Sequence, residues 1–236
     1  MQAIIMAGGM GSRLRPLTNS VPKPLVNIID KPVMEYVIEN LALGGVTDIA
    51  VTVGYKSEMI MDYFGDGSKW GVSLTYFEEK EPLGTAGGVK NASEFIKDDF
   101  LVLSADGFCN IDISDFCDYH KSHKQTITMA VRYMPDARGY GLVRTNEDSI
   151  VTSFAEKPKF LCSGLINMGI YAFDKEIIEE IPDGKCDFSY DVFPRHIGDI
   201  RSYSTDCFWS DIGTLSDYYL TNHYVSVHPE NFGVTF

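Results

Sequence analysis

Nowhere in this chain is there an unbroken apolar run of about 18 residues, the length that a membrane-crossing helix needs. The N-terminus begins directly with a strand-like segment, so neither a membrane span nor a signal peptide is expected, and the cytoplasm is the expected compartment. Basic residues are scarce: 20 Lys and Arg stand against 33 Asp and Glu, a formal net charge of −13. A nucleic-acid or anionic-membrane partner calls for a basic face, which excludes both classes, and any phosphate ligand must be met by cations gathered locally. Cysteines are few. The five, Cys109, Cys117, Cys162, Cys186 and Cys207, are odd in number and widely spaced, which fits reduced thiols rather than a disulfide framework or a CxxC metal site. Internal repeats, low-complexity tracts and Pro/Gly/Ser linkers are also missing. With 236 residues and 44% hydrophobic content, a single domain with a full core is expected over 1–236.

What is present is concentrated near the N-terminus. Met1 to Met6 is a short apolar, β-branched run of the kind that forms a buried parallel strand, and Gly8, Gly9 and Gly11 follow it. Those glycines let the backbone turn sharply and bring N–H groups against phosphate oxygens. Ser12, Arg13 and Arg15 come next on the same loop, then Pro22-Lys23-Pro24. A guanidinium fork can hold two phosphate oxygens at once, and Lys23 adds a compact point charge. A dinucleotide fingerprint fits worse, because Leu14 stands where its third glycine belongs, and no Walker-type Gly-Lys-Ser/Thr occurs.

Strand and helix alternate through the first half. The spacing predicts helices over Val33 to Leu43, Ser57 to Phe64 and Ala86 to Ile96, and strands over Asp48 to Val53, Val72 to Phe77 and Phe100 to Ser104. This is the pattern of a mostly parallel sheet. The second half is less regular, with β segments at Thr126 to Tyr133, Tyr140 to Thr145, Ile150 to Phe154, Met168 to Phe173 and Asp206 to Trp209, and helices at Lys175 to Ile181 and from about Ser216. Ligands of an open parallel sheet sit beyond the C-terminal ends of its strands. Asp106 ends one such strand and Asp211 follows another, so two carboxylates meeting beside a triphosphate would hold Mg²⁺ through hard oxygen ligands. Cys117, His120 and His123 could be drawn as a metal face on a helix, but no fourth ligand is near, and a solvated helix is the expectation. The acidic run Glu78 to Glu81 reads in part as a solvated face whose far end borders a glycine-rich segment.

The loop from Gly8 to Pro24 resembles the signature of the sugar-1-phosphate nucleotidylyltransferases, Gly-Gly-x-Gly-Ser/Thr-Arg-Leu-x-Pro-Leu-Thr and then Pro-Lys-Pro. The resemblance extends over nearly the whole chain. It implies a Rossmann-like α/β three-layer sandwich with a mixed, mostly parallel sheet, a nucleotide half to about residue 110 and a sugar-phosphate half after it, with no C-terminal β-helix domain. It further implies nucleotide contacts from Ala7, Gly8, Gly9, Gly11, Ser12 and Arg13, and from Glu81, Pro82, Gly84, Thr85, Ala86 and Gly87 of the Glu-Pro-Leu-Gly-Thr-Ala-Gly segment. Arg13 and Lys23 are the implied catalytic pair, and Asp106 and the Asp211 of Trp209-Ser210-Asp211-Ile212-Gly213 the implied Mg²⁺ ligands. Tyr140, Gly141, Glu156, Lys157 and Asn167 are implied on the sugar-phosphate side, Glu156-Lys157-Pro158 matching the family's Glu-Lys-Pro. One departure is Ala105, where the family commonly has Gly.

The expected reaction couples an NTP to a sugar 1-phosphate and releases pyrophosphate. The Glu-Pro-Leu-Gly-Thr-Ala-Gly wording favours GTP with mannose 1-phosphate, while related heptose, muramate and glucose enzymes share much of it, so base and sugar stay open. Homo-oligomerisation is left open too. A catalytically silent nucleotide-sugar sensor is weighed against by the presence of Arg13, Lys23, Asp106 and Asp211 together. A glycosyltransferase would usually carry Asp-x-Asp where this chain has Asp106-Gly107-Phe108.

Overall fold

The computed structural model describes residues 1–234. Strand β1 (Gln2–Ala7) leads into the glycine loop, and β2 (Asn27–Ile28) and β3 (Lys31–Pro32) form a small ribbon ahead of helix α1 (Val33–Leu43). Then β4 (Asp48–Val53), α2 (Ser57–Phe64), β5 (Ser73–Glu78), α3 (Gly84–Asn91) and β6 (Phe100–Ser104) alternate. The second half contains β7 (Gly107–Cys109), α4 (Ile113–Lys121), β8 (Ile127–Met134), β9 (Gly141–Thr145), β10 (Val151–Glu156), β11 (Gly164–Phe173), α5 (Ile177–Glu180), β12 (Ile200–Ser204), β13 (Trp209–Asp211) and α6 (Leu215–Val227).

The main sheet runs β10-β9-β11-β6-β1-β4-β5, with β8 joined to β11 and β12 joined to β8. β6, β1, β4 and β5 are parallel, and β11 enters antiparallel beside β6, which makes the sheet mixed. Period-two alternation sorts the strand residues onto two faces. Ala3, Ile5, Val51 and Leu103 pack under α1, α2 and α4, while Ile4, Ala50, Val102 and Phe173 pack under α3 and α5. Apolar side chains cover both faces, giving the expected three-layer α/β/α arrangement. Because β4 and β5 lie on one side of β1 and β6 on the other, the strand order reverses between β1 and β6. A crevice therefore opens beyond Ala7 and Ser104, where such sheets bind ligands.

The second half departs from expectation where pairing with distant strands overrides local pattern. β12 has the weakly apolar sequence Ile-Arg-Ser-Tyr-Ser and is held by its parallel ladder to β8. The predicted helix Lys175 to Ile181 shrinks to the single turn Ile177–Glu180, and α3 stops at Asn91, with a separate turn at Ser93–Phe95 leading into β6. α4 is not a solvated helix. Ile113, Phe116, Cys117 and His120 fall on one helical stripe and are all buried. Burial pushes the His120 imidazole down to about 4, and its Nδ1 lies 2.7 Å from Thr128 Oγ1.

Candidate active site

The glycine loop is held down by Leu14, which is fully buried, and by a hydrogen bond from Thr18 Oγ1 to the Gly11 carbonyl at 2.9 Å. Gly11 has φ +60°, and a Cβ there would stand 3.0 Å from the Lys23 Cβ, so glycine permits both the turn and the close approach of the Pro-Lys-Pro segment. That approach delivers Lys23 into the crevice. Its ammonium is ion-paired with Asp106 and lies 3.4 Å from Asp211 Oδ1. Burial works to pull the Lys23 pKa down, but the two carboxylates outweigh it and hold it above its ordinary value.

Asp106 and Asp211 come from different ends of the chain. Asp106 follows β6, and Asp211 ends β13, whose antiparallel ladder with β7 sets Asp211 opposite Gly107. The Ile212 N–H donates to the Asp106 carbonyl at 3.2 Å, and Trp209 Nε1 donates to the Met168 carbonyl at 2.9 Å, anchoring β13. Burial first, and then the Asp106 carboxylate, push the Asp211 carboxyl up, against the pull of Lys23 and Arg13. Two hard carboxylates converging on one cationic group form a donor set suited to a divalent cation such as Mg²⁺.

Two cavities meet at this cluster. The first, about 300 Å³, is lined by Ala7, Gly8, Gly9, Lys23, Pro82 and Gly84, among others. The second, about 330 Å³, is lined by Arg13, Tyr140, Gly141, Glu156, Lys157, Asn167 and Asp211. Thr85, Ser104 and Asp106 line both. The structure thus brings most of the sequence-selected residues together, with Arg13 on the wall of the second cavity. Gly11, Ser12, Glu81, Ala86 and Gly87 line neither of the two. Ala86 is fully buried in the core behind α3, and the Gly87 N–H donates to the Cys186 carbonyl.

The second cavity is rigidly framed. Glu156 pairs with Gly141 across β9 and β10, and Lys157 stands at φ +46°, a left-handed conformation that non-glycine residues rarely adopt. Its N–H is held by the Tyr140 carbonyl at 3.0 Å, and its Nζ lies 3.2 Å from Glu156 Oε1. Local strain fixed by the surrounding strands is a recurrent property of functional positions. Asn167 Oδ1 accepts from the Gly169 N–H at 2.9 Å and its Nδ2 donates to the Tyr171 hydroxyl at 2.7 Å, which locks the amide where β11 bulges away from β8.

Sequence reasoning missed Glu79. Far from belonging to a solvated face, it lines the first cavity, its Oε2 accepts from the Leu83 N–H at 3.2 Å, and burial raises its pKa above the ordinary glutamate value. The available signal was its position one residue beyond β5, at a strand end facing the crevice. Asp187 and Ser189 were also missed, because the segment around them crosses back over α3 from 102 residues away. Asp187 Oδ1 receives the Thr85 N–H at 3.1 Å, and Thr85 Oγ1 accepts from the Phe188 N–H at 2.9 Å.

A family model described as Nucleotidyl transferase matches residues 2–226. The chain belongs to this nucleotidyl transferase family. Among its relatives, the D-glycero-alpha-D-manno-heptose 1-phosphate guanylyltransferase of Campylobacter jejuni is 38% identical, with 93% of this chain and 97% of that protein covered. The mannose-1-phosphate guanylyltransferase of Mycobacterium tuberculosis is 32% identical over 92% of this chain, and this nucleotidyl transferase spans 62% of that longer protein. Among solved structures, HddC from Yersinia pseudotuberculosis complexed with GMP-PN superposes with a TM-score of 0.83 at 32% identity, covering 94% of this chain and 98% of that one. No helix among the described residues is long and apolar enough to cross a membrane.

Proposed function

We propose that this nucleotidyl transferase moves a guanylyl group from GTP to a sugar 1-phosphate of the manno series and releases pyrophosphate. The observation that carries the proposal is the meeting of two cavities at Asp106, with Lys23 between them and a half-buried carboxylate, Glu79, on the wall of the first. Among the common nucleobases, only guanine offers two adjacent N–H donors, N1–H and the 2-amino group, to a single carboxylate. Mannose 1-phosphate and manno-heptose 1-phosphate are named in the relatives' descriptions.

In this reading the sugar-phosphate oxygen attacks the α-phosphorus in line, the bond to the bridging oxygen breaks, and pyrophosphate leaves with the electron pair. The nucleophile is already an anion, so positioning and charge neutralisation carry most of the catalysis. Arg13 stabilises charge on the departing pyrophosphate, Lys23 holds the α-phosphate and the incoming sugar phosphate, and Lys157 anchors the sugar phosphate. Glu156 and Asn167 face the sugar hydroxyls. Mg²⁺ held by Asp106 and Asp211 would supply further neutralisation of phosphate charge.

The test is a pyrophosphate-release assay crossing GTP, ATP, CTP, UTP and dTTP with mannose, manno-heptose and glucose 1-phosphates. Release confined to GTP with manno-configured phosphates supports the reading. Silence with every pair sinks the enzyme, and strong release with another base sinks the role given to Glu79.

A further inference from the structure

At the end of β6 away from the active-site crevice, three groups that the nucleotidyl-transfer site leaves unused converge. Asp99 precedes the strand, Asp174 follows the antiparallel β11 beside it, and His120 reaches in from α4. One ligand atom from each lies within 4.8 Å of the other two, and His120 Nε2 is 3.2 Å from Asp174 Oδ1. We propose that Asp99, His120 and Asp174 form a second metal site, separate from Asp106 and Asp211, for a borderline divalent cation such as Zn²⁺ or Mn²⁺.

Three observations support it. First, the imidazole is fixed: the His120 side chain is 2% exposed, so its ring cannot swing away from the two carboxylates. Second, its far nitrogen is engaged. His120 Nδ1 lies 2.7 Å from the hydroxyl of the fully buried Thr128, and that hydroxyl lies 2.9 Å from His123 Nε2. In the tautomer with Nδ1–H donating to Thr128 and the Thr128 O–H donating onward to His123, the Nε2 lone pair faces the carboxylates, as metal binding requires; the hydroxyl can serve either tautomer, so the geometry is compatible with a bound cation. Third, the acidic charge has no basic side chain of its own. Among the described residues no Lys or Arg forms an ion pair with Asp99 or Asp174, and the neighbouring Lys175 sends its ammonium to the Lys97 carbonyl at 3.2 Å instead. The Lys175 N–H meanwhile donates to Asp99 Oδ1 at 3.2 Å and orients that carboxylate.

One imidazole and two carboxylates suit Zn²⁺ or Mn²⁺ better than a soft cation. The Asp174 side chain is 37% exposed, which leaves room for water to complete the coordination. A cation here would tie α4, the start of β6 and the end of β11 together, stabilising the sheet without touching the reaction.

The experiment is a titration of the chelator-treated full chain with Co²⁺, Zn²⁺ and Mn²⁺, in parallel with Asp99→Asn, Asp174→Asn and His120→Gln. Co²⁺ reports inner-sphere coordination through its visible absorption, with His120→Gln assigning the imidazole, and thermal melting reports linkage to stability. An Asp106→Asn, Asp211→Asn double variant removes binding at the active site. The expected result is one equivalent bound in that background, a melting temperature raised by Zn²⁺, and affinity lowered at least about 10-fold in the partly exposed Asp99→Asn and Asp174→Asn variants, by comparison with the losses caused by altering supporting groups. Mg²⁺-dependent turnover should be unchanged in them. Absence of binding at micromolar metal in the double variant, or binding unaltered by both Asp99→Asn and Asp174→Asn, overturns the site and leaves a simple His120 to Asp174 hydrogen bond.

Discussion

The ammonium of Lys23 lies 3.4 Å from Asp211 Oδ1 although 188 residues separate them in the chain. Asp106 completes the cluster from a third position, so two carboxylates share one fixed cation at the junction of the two cavities.

Replacing Asp106 or Asp211 by Asn keeps the shape but removes a charge that a divalent cation needs. Each variant is expected to lose Mg²⁺-dependent pyrophosphate release, with only partial rescue by excess metal. Full rescue in both at high Mg²⁺ would show that cation binding does not depend on these carboxylates.

Arg13 is exposed on the loop while Leu14 beside it is buried, so Arg13→Ala should leave the melting temperature in place. Turnover at saturating nucleotide is expected to fall about 100-fold or more, as when one preorganised charge donor is removed. Near wild-type turnover would take Arg13 out of the catalytic machinery.

On the proposed role of Glu79, base selection is expected to depend on pH in a defined sense. Its raised pKa means that the carboxylate is lost, as pH falls, earlier than for an ordinary glutamate, and with it would go the proposed acceptor for the two guanine donors. The ratio of kcat/KM for GTP over ITP, which lacks the 2-amino group, should fall as pH is lowered through that value. In Glu79→Gln the ratio should be small and flat with pH, and an unchanged profile would assign base selection elsewhere.

Lys157→Ala should raise KM for the sugar phosphate far more than KM for the nucleotide, and Glu156→Ala should act on the same substrate more weakly. Selective loss on the nucleotide side would reverse the assignment of the two cavities.

Gly87 and Gly9 separate packing from catalysis. A Cβ on Gly87 would run into the Gly184 backbone and stand 3.2 Å from the Cys186 nitrogen, whereas one on Gly9 would meet nothing within 4 Å. Urea unfolding should show Gly87→Ala destabilised by about 1–3 kcal/mol, the usual scale for overpacking, and Gly9→Ala unchanged. Equal stability in the two variants would remove the segment around Cys186 as a support of α3.

Much of the first half was legible because its signals are local. α1, α2, β4 and β6 appear with the boundaries that their periodicity predicts. The glycine loop and Asp106 stood out for a related reason, as a strand end followed by glycine or a charge, whereas Glu156-Lys157, a common tripeptide with Pro158, became meaningful only through its order after the nucleotide motifs in the family resemblance. The legibility fades where a residue's role depends on what packs over it. Glu79 looks solvated within its acidic run, and His120 looks solvated until its helix is laid on the sheet.

The sequence alone determined the main alternation of strands and helices in the first half, the glycine-bearing turn and the inventory of charged groups, since backbone period and side-chain chemistry act over a few residues. Only the tertiary structure decided which groups meet. The β7 to β13 ladder carries Asp211 to Asp106, the return of the chain over α3 brings Asp187 to Thr85, and antiparallel β11 sets Asp174 beside His120. Each of these contacts spans from about fifty to about a hundred residues and depends on strand pairing and burial, which no short window of sequence contains.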